Sequence, residues 1–199
     1  AQEPAEIYRA ALQGAQTVGD RHAEWQALLD IGFLWASRDA ATMGEYLQRA
    51  LALARSLNEP SMLGRSLNRV GNWYLVAEQP REALRYHQEA LALFQAAGDR
   101  HGLAETFDLL GSTYVMGDDI PAGVAQYQQA VALFRELGDL QGLLSSLAVL
   151  AMRGASYPWN VTAWPIVAAA DCIRDGEEAL RIARQIDWRA GEANALVYL

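Results

Sequence analysis

The chain's 199 residues are 52% hydrophobic and 20% charged, which places it among folded proteins and away from the low-apolar, high-charge composition of disordered ones. The net charge is −8, the acidic residues are scattered and every basic residue is Arg, which excludes direct contact with nucleic acid or an anionic membrane by the chain as a whole. Cys172 is the one cysteine, so no intrachain disulfide can form and the expected compartment is the cytoplasm.

The first element, within residues 1–20, aligns with the second helix of a repeating unit whose period is set further along the chain. The strings ALAL, ALAL and AVAL begin at Ala50, Ala90 and Ala130, 40 residues apart, and a turn pair follows each (Asn58-Glu59, Gly98-Asp99, Gly138-Asp139). Gly-Asp-Arg-His at 19–22 recurs at 98–101, two periods later less one residue, because the turn between Gly32 and Ala50 is shortened. Three full units are therefore expected at 21–60, 61–100 and 101–140.

Within each unit apolar residues recur at three and four, the spacing of one helix face. In the unit 61–100 they run Leu63, Leu67, Val70, Tyr74 and resume after Pro80 as Ala83, Tyr86, Ala90, Leu93, Phe94, which predicts a helical hairpin. Pro80 and Pro121 suit the first turn of a second helix, where the missing N–H needs no partner, and Gly98 and Gly138 suit helix stops. Gly32, Gly71 and Gly111, facing Ala50, Ala90 and Ala130, would let paired axes approach to about 8–10 Å.

The unit 141–189 is irregular. Ala151 takes the glycine position, Gly154 the tyrosine position, and nine extra residues fall near 156–165. Insertions in repeat arrays often decorate a working face, which makes Tyr157, Trp159 and Trp164 a secondary candidate site; the same aromatics could also fill the gap left by Gly154. Residues 190–199 begin a first helix whose partner is missing. The chain reads as a piece of a longer one, and the apolar stripe Ala193, Leu196, Val197, Leu199 predicts end-to-end self-association.

The order Leu67, Val70, Gly71, Tyr74, Ala83, Ala90, matched by Phe107, Leu110, Gly111, Tyr114, Gly123, Ala130 and by Leu28, Ile31, Gly32, Trp35, Met43, Ala50, resembles the tetratricopeptide repeat. The units depart from the common form in their length and in lacking the proline that usually closes the second helix. The resemblance implies an all-α, right-handed superhelical solenoid of antiparallel helix pairs. Long units of this kind are similar to those of kinesin light chains and of large bacterial signal-responsive STAND/LuxR-type regulators. In the latter an ATPase switch precedes the array and a DNA-binding domain lies elsewhere.

Catalytic signals are missing from the sequence. Without Lys there is no P-loop, and no HExxH, CxxC or glycine-rich dinucleotide turn occurs, so no cofactor or metal is expected and the chain reads as a non-enzyme. His22, His87 and His101 are dispersed. His22 and His101 read as structural or solvated, His87 falls where the repeat carries a large core residue, and Cys172 lies in an apolar stretch where a thiol is inert filler.

Surface remains. The repeat geometry implied by the resemblance puts first helices on the concave face, which gives Gln26, Leu29 and Phe33, then Arg65, Asn68 and Asn72, then Glu105, Asp108, Ser112 and Met116, then Met152 and Ser156. Arg65, Asn68 and Asn72 are spaced as one polar stripe that suits a peptide backbone and equally describes a solvated helix face. Glu105 and Asp108 argue for a mixed or cationic ligand. The expected partner is a protein, a peptide or a small-molecule effector, bound by the sensor segment of a larger regulator or by a stand-alone adaptor.

Overall fold

The computed structural model of the chain describes residues 4–152 and 169–197. Ten α-helices make up this part: α1 (Pro4–Val18), α2 (Arg21–Trp35), α3 (Ala40–Leu57), α4 (Pro60–Val76), α5 (Pro80–Ala97), α6 (Arg100–Met116), α7 (Ile120–Leu137), α8 (Leu140–Met152), α9 (Ala169–Gln185) and α10 (Arg189–Val197). The helix pairs α2/α3, α4/α5 and α6/α7 span residues 21–57, 60–97 and 100–137. The tight connections between them leave antiparallel packing as the accessible arrangement.

The recurring Gly-Asp dipeptide is a helix-to-helix junction. Gly98 ends α5 at φ +68° and Gly138 ends α7 at φ +69°, a left-handed conformation in which a side chain is strained. The Asp that follows opens the next helix: Asp99 accepts from the Gly102 N–H at 2.9 Å and Asp139 from the Gly142 N–H at 2.9 Å. Gly19 and Asp20 repeat the arrangement ahead of α2, with φ +74° and an Ala23 N–H bond of 3.0 Å. Asn58 does the same work after α3 at φ 55°, a conformation Asn tolerates better than most residues. Pro80 occupies the first turn of α5 and Pro121 that of α7.

The chain divides into two compact units, residues 1–102 and 103–199. In the first, α1 to α5 enclose Leu28, Ile31, Leu47, Leu51, Leu67, Val70 and Phe94, all essentially without solvent contact. Phe94 sits so close to two glycines that a Cβ on Gly64 or Gly102 would stand 2.6 or 2.4 Å from its ring. Trp73 on α4 reaches back to α3, where its indole N–H donates to the Ala40 carbonyl at 2.7 Å.

In the second unit the core gathers Tyr127 and Phe134 of α7, Leu143, Leu144, Leu147 and Leu150 of α8, Ile182 and Ala183 of α9 and Ala195 of α10. Arg135 holds Glu178 at 3.0 Å, tying α7 to α9. Leu196 and Val197 remain exposed at the end of α10, and Cys172 is buried in α9. Among the described residues no helix is long and apolar enough to cross a membrane.

Candidate ligand-binding face

A first helix in this arrangement is hemmed in by neighbours, so whatever it leaves open is narrow. Beyond its first residue, the exposed positions of α4 are Arg65, Arg69 and Val76, with Asn72 half-buried between them. On a wheel of about 100° per residue these four fall within a sector of about 60°. On α2 the matching positions are Gln26, Asp30 and Phe33, six and two residues before the glycine and one after it. Phe33 is 72% exposed, and Gln26 donates to Asp30 at 2.8 Å. The indole N–H of Trp25 donates to the Ser66 hydroxyl at 2.8 Å, which sets α2 beside α4 and brings the two stripes side by side.

Asn68 departs from the expectation that it faces a ligand. It is 4% exposed, and its side-chain oxygen lies 3.1 Å from Nδ1 of His87 on α5. Relative to Arg65 it is rotated about 60° away from the open sector, toward the second helix of its own hairpin. Leu29 holds the same position on α2 and is likewise buried. Arg69 is the open-face residue that sequence reasoning missed, although Leu29 at the register of Asn68 signals an interior position.

His87 is fully buried, as its place in the repeat predicted. Burial lowers its pKa from the usual 6.5 to about 4, because a charged imidazole would lose its water, and Nε2 has no hydrogen-bond partner among the described residues. Arg65 belongs to a charged cluster around Asp99. The Gly102 N–H is the main cause of that carboxyl's lowered pKa, with Ser61 and then Arg65 adding to it. Arg69 forms no ion pair with a carboxylate among the described residues.

The expected site residues of α6 lie in the second unit. Glu105, Asp108 and Ser112 are half-buried and Met116 is 52% exposed. Asp108 accepts from the Ser146 hydroxyl of α8 at 2.5 Å, and Ser112 shares a hydrogen bond of 2.6 Å with the Tyr127 hydroxyl of α7. Burial raises the pKa of Asp108, and it pushes Tyr127 up to about 12. Asp108 and Ser112 therefore spend part of their hydrogen-bonding capacity inside the unit. Met152 ends α8, while Ser156, Tyr157, Trp159 and Trp164 lie outside the described residues. Among the described residues no group of three His, Cys, Asp or Glu could hold a metal ion.

A tetratricopeptide repeat family model matches residues 62–136. No curated protein matches the chain's sequence. Among solved structures, BtubC from P. vanneervenii is similar with a TM-score of 0.79 at 15% identity, covering 100% of this chain and 82% of that one. A Rap protein complexed with Competence and Sporulation Factor gives 0.69 at 16% identity, covering 96% of this chain and 56% of that one. A STAND protein with a tetratricopeptide repeat sensor from Pyrococcus horikoshii gives 0.67 at 16% identity, covering 96% of this chain and 32% of that one. The chain thus shares the all-α fold of tetratricopeptide repeat proteins, and its residues 62–136, with glycines seated under second-helix side chains, match that repeat's family model.

Proposed function

We propose that this chain is a non-catalytic module that binds a protein or peptide along the open face of its first helices, as the sensor segment of a larger cytoplasmic bacterial regulator. The observation that carries this reading is the narrow stripe on α2 and α4, in which guanidinium, amide and phenyl groups stand exposed on helices otherwise packed on nearly every side. A rigid scaffold with a few open side chains binds without losing much entropy of its own. The fold is shared with a Rap protein complexed with a named factor and with a STAND protein whose repeats are a sensor, and in both it is one segment of a longer chain.

The test has two parts. A random dodecapeptide library displayed on phage is panned against the chain, and selected peptides are measured against the double variant Phe33→Ala with Asn72→Ala. We expect at least tenfold weaker binding with an unchanged helical circular dichroism spectrum; equal binding would move the site off this face. Deleting residues 1–199 from the parent protein should then abolish or lock its transcriptional response, and an unaltered response would leave an adaptor in place of a sensor.

A further inference from the structure

We infer that the chain joins head to tail with a second copy of itself, α10 of one copy docking as a first helix against α1 of the next and completing a hairpin between them. The register of α10 carries this. The Glu192 N–H closes the first turn onto the Trp188 carbonyl at 2.9 Å, as Glu24 closes onto Asp20 and Leu143 onto Asp139. Five, eight and nine residues on from that carbonyl, α10 presents Ala193, Leu196 and Val197. The same places hold Trp25, Leu28 and Leu29 in α2 and Leu144, Leu147 and Ala148 in α8, all of them buried. In α10 the three are exposed, Leu196 at 51% and Val197 at 73%. What covers this side elsewhere is the second helix of the hairpin: in α4 the first of the three places is Gly64, and a Cβ there would stand 2.6 Å from the Phe94 ring of α5. Ala195, on the opposite side of α10 at about 100° per residue, packs into the core with α8 and α9. Leu199 lies outside the described residues.

The complementary half is on α1. This helix leads into Gly19, whose φ of +74° matches those of Gly98 and Gly138 at the ends of the second helices α5 and α7. Eight residues before those two glycines stand Ala90 and Ala130, both without solvent contact, and eleven before them stand His87 and Tyr127, which face Gly71 and Gly111 of their first helices. The equivalent residues of α1, Ala11 and Tyr8, are open to solvent. Ile7 and Val18 extend the open apolar stripe, and a Cβ on Gly14 would meet nothing within 4 Å, so the face leaves room for a helix axis to come close. The two open faces are thus the two sides of the interface that recurs in α2/α3 and α4/α5, and a second copy carries both. Such a contact is heterologous: each added copy leaves one α10 and one α1 face open, and assembly continues past the dimer. With nine residues, α10 spans about 13 Å at 1.5 Å per residue, which makes the contact smaller than that of a stable dimer and its formation dependent on concentration.

Sedimentation velocity on the 199-residue chain tests the inference. Between about 5 and about 500 µM the mean mass should rise from that of a monomer past that of a dimer. Leu196→Glu and Ala11→Glu place a charge on exposed positions of the two faces, so each variant alone should stay monomeric with an unchanged helical circular dichroism spectrum. Mixed in equal amounts they should associate again and stop at the dimer, because the first keeps a working α1 face and the second a working α10 face. A wild-type chain that stays monomeric throughout overturns the inference, and so does a mixture that does not associate. Association that survives Leu196→Glu would set α1 against α1, and association that survives Ala11→Glu would set α10 against α10; either overturns the head-to-tail assignment. The ligand-binding face on α2 and α4 carries neither substitution, so the binding reading stands or falls by its own test.

Discussion

The imidazole of His87 lies where a side chain on residue 71 would have to begin: a Cβ built on Gly71 would stand 2.5 Å from Cε1 and 2.7 Å from Nε2 of that ring. Leu47 against Gly32 and Tyr127 against Gly111 repeat the relationship in the neighbouring hairpins, each at 2.7 Å. The ring is fully buried between helices, so it cannot swing aside as an exposed side chain would. Gly71→Ala is therefore expected to cost about 1–3 kcal/mol in urea unfolding, the scale of overpacking a core. In a His87→Ala background the same change should cost less than half as much, since the obstruction is gone. Equal costs in both backgrounds would show that the ring is not what excludes the methyl group.

The same ring makes stability depend on pH. In the folded chain His87 has a pKa of about 4 against 6.5 when exposed, so its contribution is present above the unfolded value and lost as pH falls toward the folded one. Between pH 7.5 and 5 the unfolded chain takes up a proton that the folded chain refuses, which removes about 2 kcal/mol. His87→Leu, which copies Leu47 of the preceding hairpin, should flatten this slope whatever it does to stability at pH 7.5. Parallel pH profiles for the two proteins would mean that the imidazole is not held neutral by burial.

The hairpins and their ends were legible because each has a local cause. Pro80 needs no N–H partner, and Gly98 takes a left-handed turn that few residues accept, so both positions are dictated within a turn of the chain. The open face was half legible. Arg65 and Phe33 are exposed and Asn72 half-buried, but Asn68 and Arg69 are adjacent polar residues, and polarity alone does not say which of them the helix turns inward. What decides is a tertiary partner 19 residues away: His87 takes a place that is Leu47 in one hairpin and Tyr127 in another, and Asn68 meets it. Comparing the hairpins position by position, Leu29 with Leu47 and then Asn68 with His87, exposes an apolar pair exchanged for a polar one. Asp108 was expected on the ligand-binding face for a similar reason, since the hydroxyl of Ser146 that holds it comes from another repeat.

The junction residues are expected to separate by backbone cost alone. Nothing lies within 4 Å of a Cβ on Gly98, so Gly98→Ala adds no clash and pays only for a positive φ, about 1 kcal/mol. Asn58 holds the same conformation at φ 55° with a side chain attached, and Asn58→Gly should raise stability by a few tenths to about 1 kcal/mol. Thermal unfolding of both variants checks the pair. A destabilised Asn58→Gly would show that the Asn side chain contributes more there than its backbone strain costs.

Asp108 and Ser146 should behave as a pair with opposite signs. Burial is the first cause of the raised pKa of Asp108, Ser146 opposes it and the nearby Glu105 adds to it. With a folded pKa above the unfolded one, the stability this group contributes is complete below the unfolded value and is lost as pH rises through the folded one. At neutral pH the group therefore costs stability that it does not cost in acid, and Asp108→Asn should leave the second unit as stable or more stable, with any gain vanishing near pH 3. Ser146→Ala removes the hydroxyl that donates to the buried carboxylate and should cost about 1–3 kcal/mol at pH 7. Once Asp108→Asn has removed the charge, the same serine change should cost less, so the double variant will be more stable than the sum of the singles implies. Additive changes would mean that the 2.5 Å contact carries no coupling and that α6 and α8 are held together by their apolar residues alone.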